Sequence, residues 1–72
     1  MPKDIFTLRP NDEFIELMKL LKLKDIAQSG GHAKAMIDEG LVKVNGKTEF
    51  RKRNKLRKGD VVLVDGFEIT IA

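Results

Sequence analysis

The chain has 72 residues, with 14 basic and 11 acidic side chains, a net charge of +3, no cysteine and a single histidine. A chain of this length forms one domain with a modest core. Without cysteine it has neither a disulfide nor a thiolate zinc site to stabilise it. No apolar run approaches the roughly 20 residues of a membrane span, and the first residues lack the apolar core of a secretory signal. We therefore expect one soluble, cytoplasmic domain over residues 1–72.

The N-terminal third of the chain predicts a strand and a helix. Asp4–Arg9 (DIFTLR) is typical of a short strand, which Pro10 ends. Asn11 or Asp12 can cap a helix over residues 12–22. Apolar residues that recur at spacings of three and four would form one face of this helix: Phe14, Leu17, Met18 and Leu21.

A second helix is predicted over residues 30–39. Ser29 can serve as its N-cap, and Gly40 follows as a helix terminator. An apolar stripe made of Ala33, Met36 and Ile37 faces the first helix. Ala33 is small enough to allow close packing of the two helices.

The helix would begin with Gly30-Gly31, which weaken its first turn. The pair favours a loop with unusual backbone angles over a phosphate-binding turn built from backbone N–H groups. His32 is expected to be exposed in the first turn.

From residue 41 the apolar period changes to two, which is typical of strands. The segments LVKV, KTEF, VVLV and FEITIA are predicted strands, and Asn45-Gly46 and Asp65-Gly66 are predicted two-residue turns. The order of elements is a short N-terminal strand, two packed helices and then a small antiparallel sheet. This is an α+β fold with helices on one face of the sheet.

Catalysis is not expected. The chain lacks Cys, Tyr and Trp, its one histidine has no triad or metal-ligand spacing around it, and no Walker-type phosphate loop occurs. We therefore predict no enzyme activity, no cofactor and no metal site. The phenylalanines are expected mainly in the core, with only Phe50 uncertain because it adjoins a basic run.

That run, Arg51–Lys58 (RKRNKLRK), contains six basic residues and no acidic one, whereas the rest of the chain has 8 basic and 11 acidic residues. Either it is a solvated loop that protects a sheet edge, or it binds a polyanion. Mixed charges would protect an edge better, and three of the six are arginines, whose guanidinium suits phosphate. We favour the polyanion, with Leu56 anchoring the segment to the core. By contrast, a group on or just after the first helix has acidic neighbours and should be an ordinary solvated face: Lys19, Lys22 and Lys24.

The segment Ser29–Val64 resembles the RNA-binding domain named after ribosomal protein S4. The match rests on Ser29, Ala33, Ile37, Gly40, Val42, Val44, Asn45-Gly46 and Gly59-Asp60. It is nearer to the short stand-alone bacterial YbcJ-like subgroup, in which SG, AK, EG, VKV and RKR occur in this order and spacing. The resemblance covers nearly the full chain.

The resemblance implies an S4-type fold (the αL motif) and an RNA-binding module with no catalytic activity of its own. We expect it to act as a monomer on structured RNA, ribosomal or transfer RNA, in ribosome biogenesis or translation. The resemblance also implies that the second helix and the following loop face the RNA, with contacts from Lys34, Lys43, Lys47, Arg51, Lys52, Arg53 and Lys55. Many members carry a basic residue just after the serine, where this chain has Gly30-Gly31.

Two other functions are alternatives to RNA binding. One is a protein-interaction module whose basic loop docks an acidic partner, for example during ribosome assembly. The other is a ubiquitin-like sulfur carrier, but such proteins need a C-terminal Gly-Gly, and this chain ends Thr70-Ile71-Ala72.

Overall fold

The computed structural model describes residues 2–72. Within these residues, no helix is both long and apolar enough to cross a membrane. The elements in chain order are β1 (Lys3–Phe6), β2 (Ile15–Glu16), α1 (Leu17–Leu23), α2 (Gly30–Asp38), β3 (Val42–Val44), β4 (Lys47–Thr48), β5 (Lys55–Leu56), β6 (Val61–Val64) and β7 (Phe67–Ile71).

The strands form one five-stranded sheet and one small two-stranded sheet. The large sheet has the order β1-β7-β6-β3-β4, and β2 pairs with β5 in the small one. The predicted α+β class is confirmed, and the strands after the helices pair antiparallel as predicted. Strand β1 joins the sheet parallel to β7, so the sheet is mixed. The sequence pattern did not specify this pairing.

The core lies between one face of the large sheet and the two helices, and it is aliphatic. Alternate residues of β3, β6 and β7 point into it, as the period of two predicts. The stripe predicted for the second helix is buried, and Ala33 has no exposed surface. Each fully buried aliphatic side chain contributes about 1.5–3 kcal/mol relative to an exposed one, so these side chains hold the layers together.

Both ends of α2 are formed by the residues that the sequence predicts. The Ser29 hydroxyl accepts a hydrogen bond from the His32 N–H at 3.1 Å, which confirms Ser29 as the N-cap. At the other end Gly40 has φ 76°, in the left-handed region where glycine carries no steric penalty. The N–H groups of Gly40 and Leu41 then donate to the carbonyls of Ile37 and Met36, which completes a Schellman motif.

The first helix is shorter than predicted, because it begins at Leu17 and not at residue 12. Neither predicted cap is used, and the N-cap is Glu16 in an extended conformation. The reason is tertiary: Ile15 and Glu16 pair with β5, and this pairing overrides the local helical pattern. Phe14 therefore lies before the helix and not on its apolar face.

None of the four phenylalanines is fully buried, and the expectation of core positions was wrong for Phe14 and Phe67, whereas Phe6 packs against the edge of the core. Phe6 and Phe14 are only partly buried, whereas Phe50 is 61% exposed and Phe67 is 39% exposed. Phe67 keeps the predicted strand phase with Ile69 and Ile71, but it directly follows the exposed Asp65-Gly66 turn at the end of the sheet. The core is filled by leucine, isoleucine and valine instead.

Candidate nucleic-acid interface

The basic segment Arg51–Lys58 folds as a turn followed by strand β5. The Asn54 N–H donates to the carbonyl of Arg51 at 3.1 Å and closes the turn. Leu56 has no exposed surface, which confirms it as the anchor of the segment. The six cations are therefore attached to a fixed backbone.

The same segment caps the first turn of α1. The Leu17 N–H donates to the carbonyl of Asn54, and the Met18 N–H donates to the carbonyl of Lys52, both at 3.0 Å. The first N–H groups of a helix have no partner inside the helix, and Glu16 supplies no side-chain cap. The loop carbonyls replace that cap, and they hold the basic segment against the start of α1.

Asp60 and Asn45 fix the far end of the segment. The Asp60 carboxylate accepts hydrogen bonds from the Arg57 N–H at 2.8 Å and from the Asn45 side-chain amide at 3.0 Å. The Asn45 side-chain oxygen in turn accepts from the Val61 N–H at 2.9 Å. The Asn45-Gly46 turn, with φ 52° and 84°, and the Gly59-Asp60 turn are thus joined by side chains. The two turn motifs therefore position the same loop together.

Arg51 is held by Glu49. Oε1 of Glu49 accepts from the backbone N–H of Arg51 at 2.9 Å and from its Nε at 2.8 Å, and Oε2 accepts from Nη2 at 3.2 Å. Hydrogen bonds from the Arg51 side chain lower the pKa of Glu49, and the Glu49 carboxylate raises the pKa of Arg51. The charge of Arg51 is therefore partly compensated, and one bidentate edge of its guanidinium is occupied.

Two other cations of the segment lie over the ring of Phe14. Nζ of Lys55 is 4.9 Å from the ring centroid, and Cζ of Arg57 is 5.7 Å from it. These are cation–π distances, worth about 0.5–1 kcal/mol each at an exposed site. Phe14 thus helps to orient the charges of Lys55 and Arg57. Arg57 was not among the predicted site residues. Its place within the basic run was the one feature of the sequence that could have indicated it.

The structure brings four of the seven predicted residues together and leaves three apart. Arg51, Lys52, Arg53 and Lys55 share the basic segment. Among residues 2–72, the side chains of Lys52 and Arg53 have no hydrogen-bonding or ion-pair partner.

The three others lie on separate elements. Lys34 is exposed on α2 and forms an ion pair with Asp38 at 2.7 Å. Lys43 alternates with buried Val42, so it points away from the core, on the face of the sheet opposite the helices. Lys47 is exposed at the start of β4, directly after the Asn45-Gly46 turn.

Gly30 and Gly31 do not have unusual backbone angles, so that expectation was wrong. Neither has a positive φ, and both lie within α2. A methyl group added at Gly30 would meet no atom within 4 Å, and one added at Gly31 would meet only the Ser29 hydroxyl, at 3.9 Å. His32 is exposed as predicted, and its Nδ1 accepts a hydrogen bond from the Gln28 N–H at 3.1 Å.

The lysines of the first helix are only partly the solvated group that was expected. Lys19 and Lys22 are exposed and have no ion-pair partner among residues 2–72. Lys24 is different, because it forms an ion pair with Asp4 of β1. The hydrogen bond from Lys24 lowers the pKa of Asp4. Lys24 therefore links the end of α1 to the sheet.

Comparison with known proteins is consistent with this geometry. Residues 8–72 match the S4 domain family. The "Probable ribosome maturation protein RlbA" of Bacillus subtilis is 47% identical over 55 residues, which cover 76% of this chain and 78% of that protein. The "Putative RNA-binding protein YbcJ" of Escherichia coli is 44% identical over 57 residues, covering 79% of this chain and 81% of that protein.

A solved structure agrees with the fold. The solution structure of YbcJ from E. coli, described as revealing an αL motif involved in RNA binding, superposes with a TM-score of 0.70. The identity in that alignment is 40%, and it covers 94% of this chain and 85% of YbcJ.

Proposed function

Because this chain belongs to the S4 domain family, we propose that it binds structured RNA through the basic segment Arg51–Lys58. One observation carries the proposal: the cations sit on a backbone tied to the core through Leu56 and to the start of α1 through two hydrogen bonds. A solvated loop that only protects a sheet edge needs no such fixation. Fixed charges can follow the spacing of phosphates along an RNA backbone.

The ligand is RNA with A-form geometry. Such RNA is recognised mostly through its phosphates and 2′-OH groups, so a rigid basic surface suffices without base-specific contacts. Helix α2 has only nine residues, begins with Gly30-Gly31, and offers few side chains that could read a DNA major groove. We therefore expect structured RNA to compete better than duplex DNA of equal length.

Lys52 and Arg53 carry the central contacts in this proposal, since no acidic side chain of residues 2–72 compensates them. Lys55 and Arg57 add charges oriented by Phe14. Arg51 contributes less, because Glu49 shares its charge. Lys34, Lys43 and Lys47 would contact RNA only if it extends beyond the loop, to α2 or to the outer face of the sheet.

The cellular role that we propose is ribosome maturation, on ribosomal RNA or a ribosomal particle, in the cytoplasm and as a monomer. The name of the B. subtilis relative supports the process, and the name of the E. coli relative supports the ligand. The basic segment of this chain is a surface that both RNA binding and a role in ribosome maturation would require.

Paired charge reversals test the site. Lys52→Glu with Arg53→Glu should abolish binding to a structured RNA, because neither side chain has an acidic partner among residues 2–72 and the loop that carries them is fixed. The matched control is Lys19→Glu with Lys22→Glu, which changes the net charge equally but lies on α1. It should weaken binding only slightly, since long-range attraction is screened over about 10 Å at 0.1 M salt. Equal losses would show that only net charge matters.

The salt dependence of binding tests the chemistry. If about four to six phosphates are neutralised, the logarithm of the association constant should fall with the logarithm of the salt concentration at a slope of roughly −3 to −5. Fluorescence titration at several salt concentrations measures the slope. A slope near zero would contradict phosphate contacts.

A further inference from the structure

Phe50 is the most exposed aromatic side chain that the structure describes. It directly precedes the basic segment, and 61% of its surface is accessible. A phenyl ring left in water makes no contribution to the core. A single exposed apolar side chain is ordinary on a protein surface, so only its surroundings can mark it as a binding residue.

The ring has a structural partner on one side only. The backbone hydrogen bond from the Glu49 N–H to the Val42 carbonyl, at 2.9 Å, continues the β3–β4 pairing one step beyond the strands. Phe50 follows Glu49 and comes to lie beside Gly40. Ring atoms of Phe50 are 3.6 and 3.7 Å from the position that a Cβ on Gly40 would take. The ring thus rests against the chain where α2 ends, and this contact fixes its place.

The exposed side of the ring is set in a surface that suits a nucleotide. Leu41, next to Gly40, is 54% exposed and extends the apolar area. Lys43 follows two residues later on β3, pointing away from the core, and Arg51 adjoins Phe50. An unpaired base offers an apolar face for stacking on such a ring, and its phosphate carries the negative charge that the neighbouring cations attract.

We propose that Phe50 is a stacking platform for an unpaired base, so that the RNA bound by this chain is a stem with an unpaired nucleotide beside it. The inference rests on the proposed function and narrows its ligand. A-form stems are bound through their phosphates by the basic segment, and the unpaired base stacks on Phe50. The ring accepts any base, because every base has an apolar face.

Three RNAs and two variants test the proposal. The RNAs are a hairpin with an unpaired loop, the same hairpin with abasic loop residues, and a blunt duplex of the same charge. Phe50→Leu keeps an apolar side chain over Gly40 but removes the aromatic face. Phe50→Trp enlarges that face, and since the chain has no Trp or Tyr, the new indole is its only fluorophore of that kind.

The unaltered chain should bind the hairpin about tenfold or more tightly than the abasic hairpin. Phe50→Leu should lose that difference while keeping its affinity for the duplex. The indole of Phe50→Trp should be quenched by the hairpin and not by the abasic one. Equal affinity of the unaltered chain for the intact and abasic hairpins would overturn the stacking platform alone, and this comparison holds even if Phe50→Leu does not fold. Failure to bind any of the three RNAs would overturn the proposed function and the platform with it.

Discussion

Truncation of Leu56 to alanine tests whether the core anchors the basic segment. Leu56 has no exposed surface and belongs to the single aliphatic core. Leu56→Ala removes buried carbon atoms and leaves a cavity, which costs about 2–5 kcal/mol. A domain of this size has a total stability of about 3–5 kcal/mol. We therefore expect the midpoint of urea unfolding, followed by circular dichroism, to fall by half or more.

Two variants separate the loss of the anchor from a general effect of the substitution. Leu63→Ala makes the same chemical change on β6, where the side chain is only half-buried. It should cost about 1 kcal/mol or less, as substitutions near the surface do. Leu56→Met keeps the volume of the side chain, and it should cost under about 1.5 kcal/mol.

Hydrogen exchange is a second measurement, and it follows the docking of the basic segment itself. The N–H groups of Leu17 and Met18 bond to loop carbonyls, so their hydrogen exchange reports whether the loop stays docked on α1. In Leu56→Ala both should exchange faster relative to the other amides of α1, and in Leu56→Met they should not. If Leu56→Ala costs no more than Leu63→Ala and leaves these two amides protected, the segment is not anchored through Leu56.

Two further substitutions probe the fold and its response to acid. Ala33→Leu should lower the free energy of unfolding by about 1–3 kcal/mol, because Ala33 is fully buried on the inner face of α2; an unchanged urea midpoint would show that the helices have room there. Glu49→Gln should flatten the loss of stability in acid. Hydrogen bonds from Arg51 lower the pKa of Glu49 below its ordinary value of 4.5, so this stabilisation is complete above the ordinary value and is lost as the pH falls through the lowered one. Unfolding measured from about pH 6 to about pH 3 should therefore show a larger loss in the unaltered chain than in the variant, and parallel curves would contradict the assignment.

The elements predicted correctly from the sequence are those whose ends are determined locally. Ser29 begins α2 and Gly40 terminates it, each through hydrogen bonds to residues within one turn. The Asn45-Gly46 turn follows from the left-handed backbone that these two residues tolerate. The start of α1 has no local determinant. Ile15 finds its partner in Leu56, far along the chain, and a helical spacing of apolar residues cannot reveal that pairing.

The site was predicted in its charge and not in its contacts. A run of six basic residues can be read directly from the sequence. Its internal arrangement depends on partners outside the run, since Glu49 occupies Arg51, and Phe14 orients Lys55 and Arg57. The sequence left the position of Phe50 open, because that position depends on how the β3–β4 hairpin packs against the end of α2.

The position of the basic segment is unfavourable for stability, and this leads to a final prediction. The segment lies at the start of α1, where the helix dipole is positive, and cations there destabilise a helix by about 0.3–1 kcal/mol. Lys52 and Arg53 have no acidic partner among residues 2–72 to offset this cost. Replacing both with glutamine should therefore raise the stability of the domain by about 0.3–1 kcal/mol, while RNA affinity falls. Lys19→Gln with Lys22→Gln removes equal charge from α1 itself, where Lys19 lies in the first turn and Lys22 in the last. Their effects with the helix dipole oppose each other, so stability should stay nearly unchanged, and RNA affinity should fall less than in the first pair. Opposite signs for stability and binding in the first pair would mean that these charges serve a ligand and not the fold, whereas a loss of both would mean that the two side chains help to hold the loop.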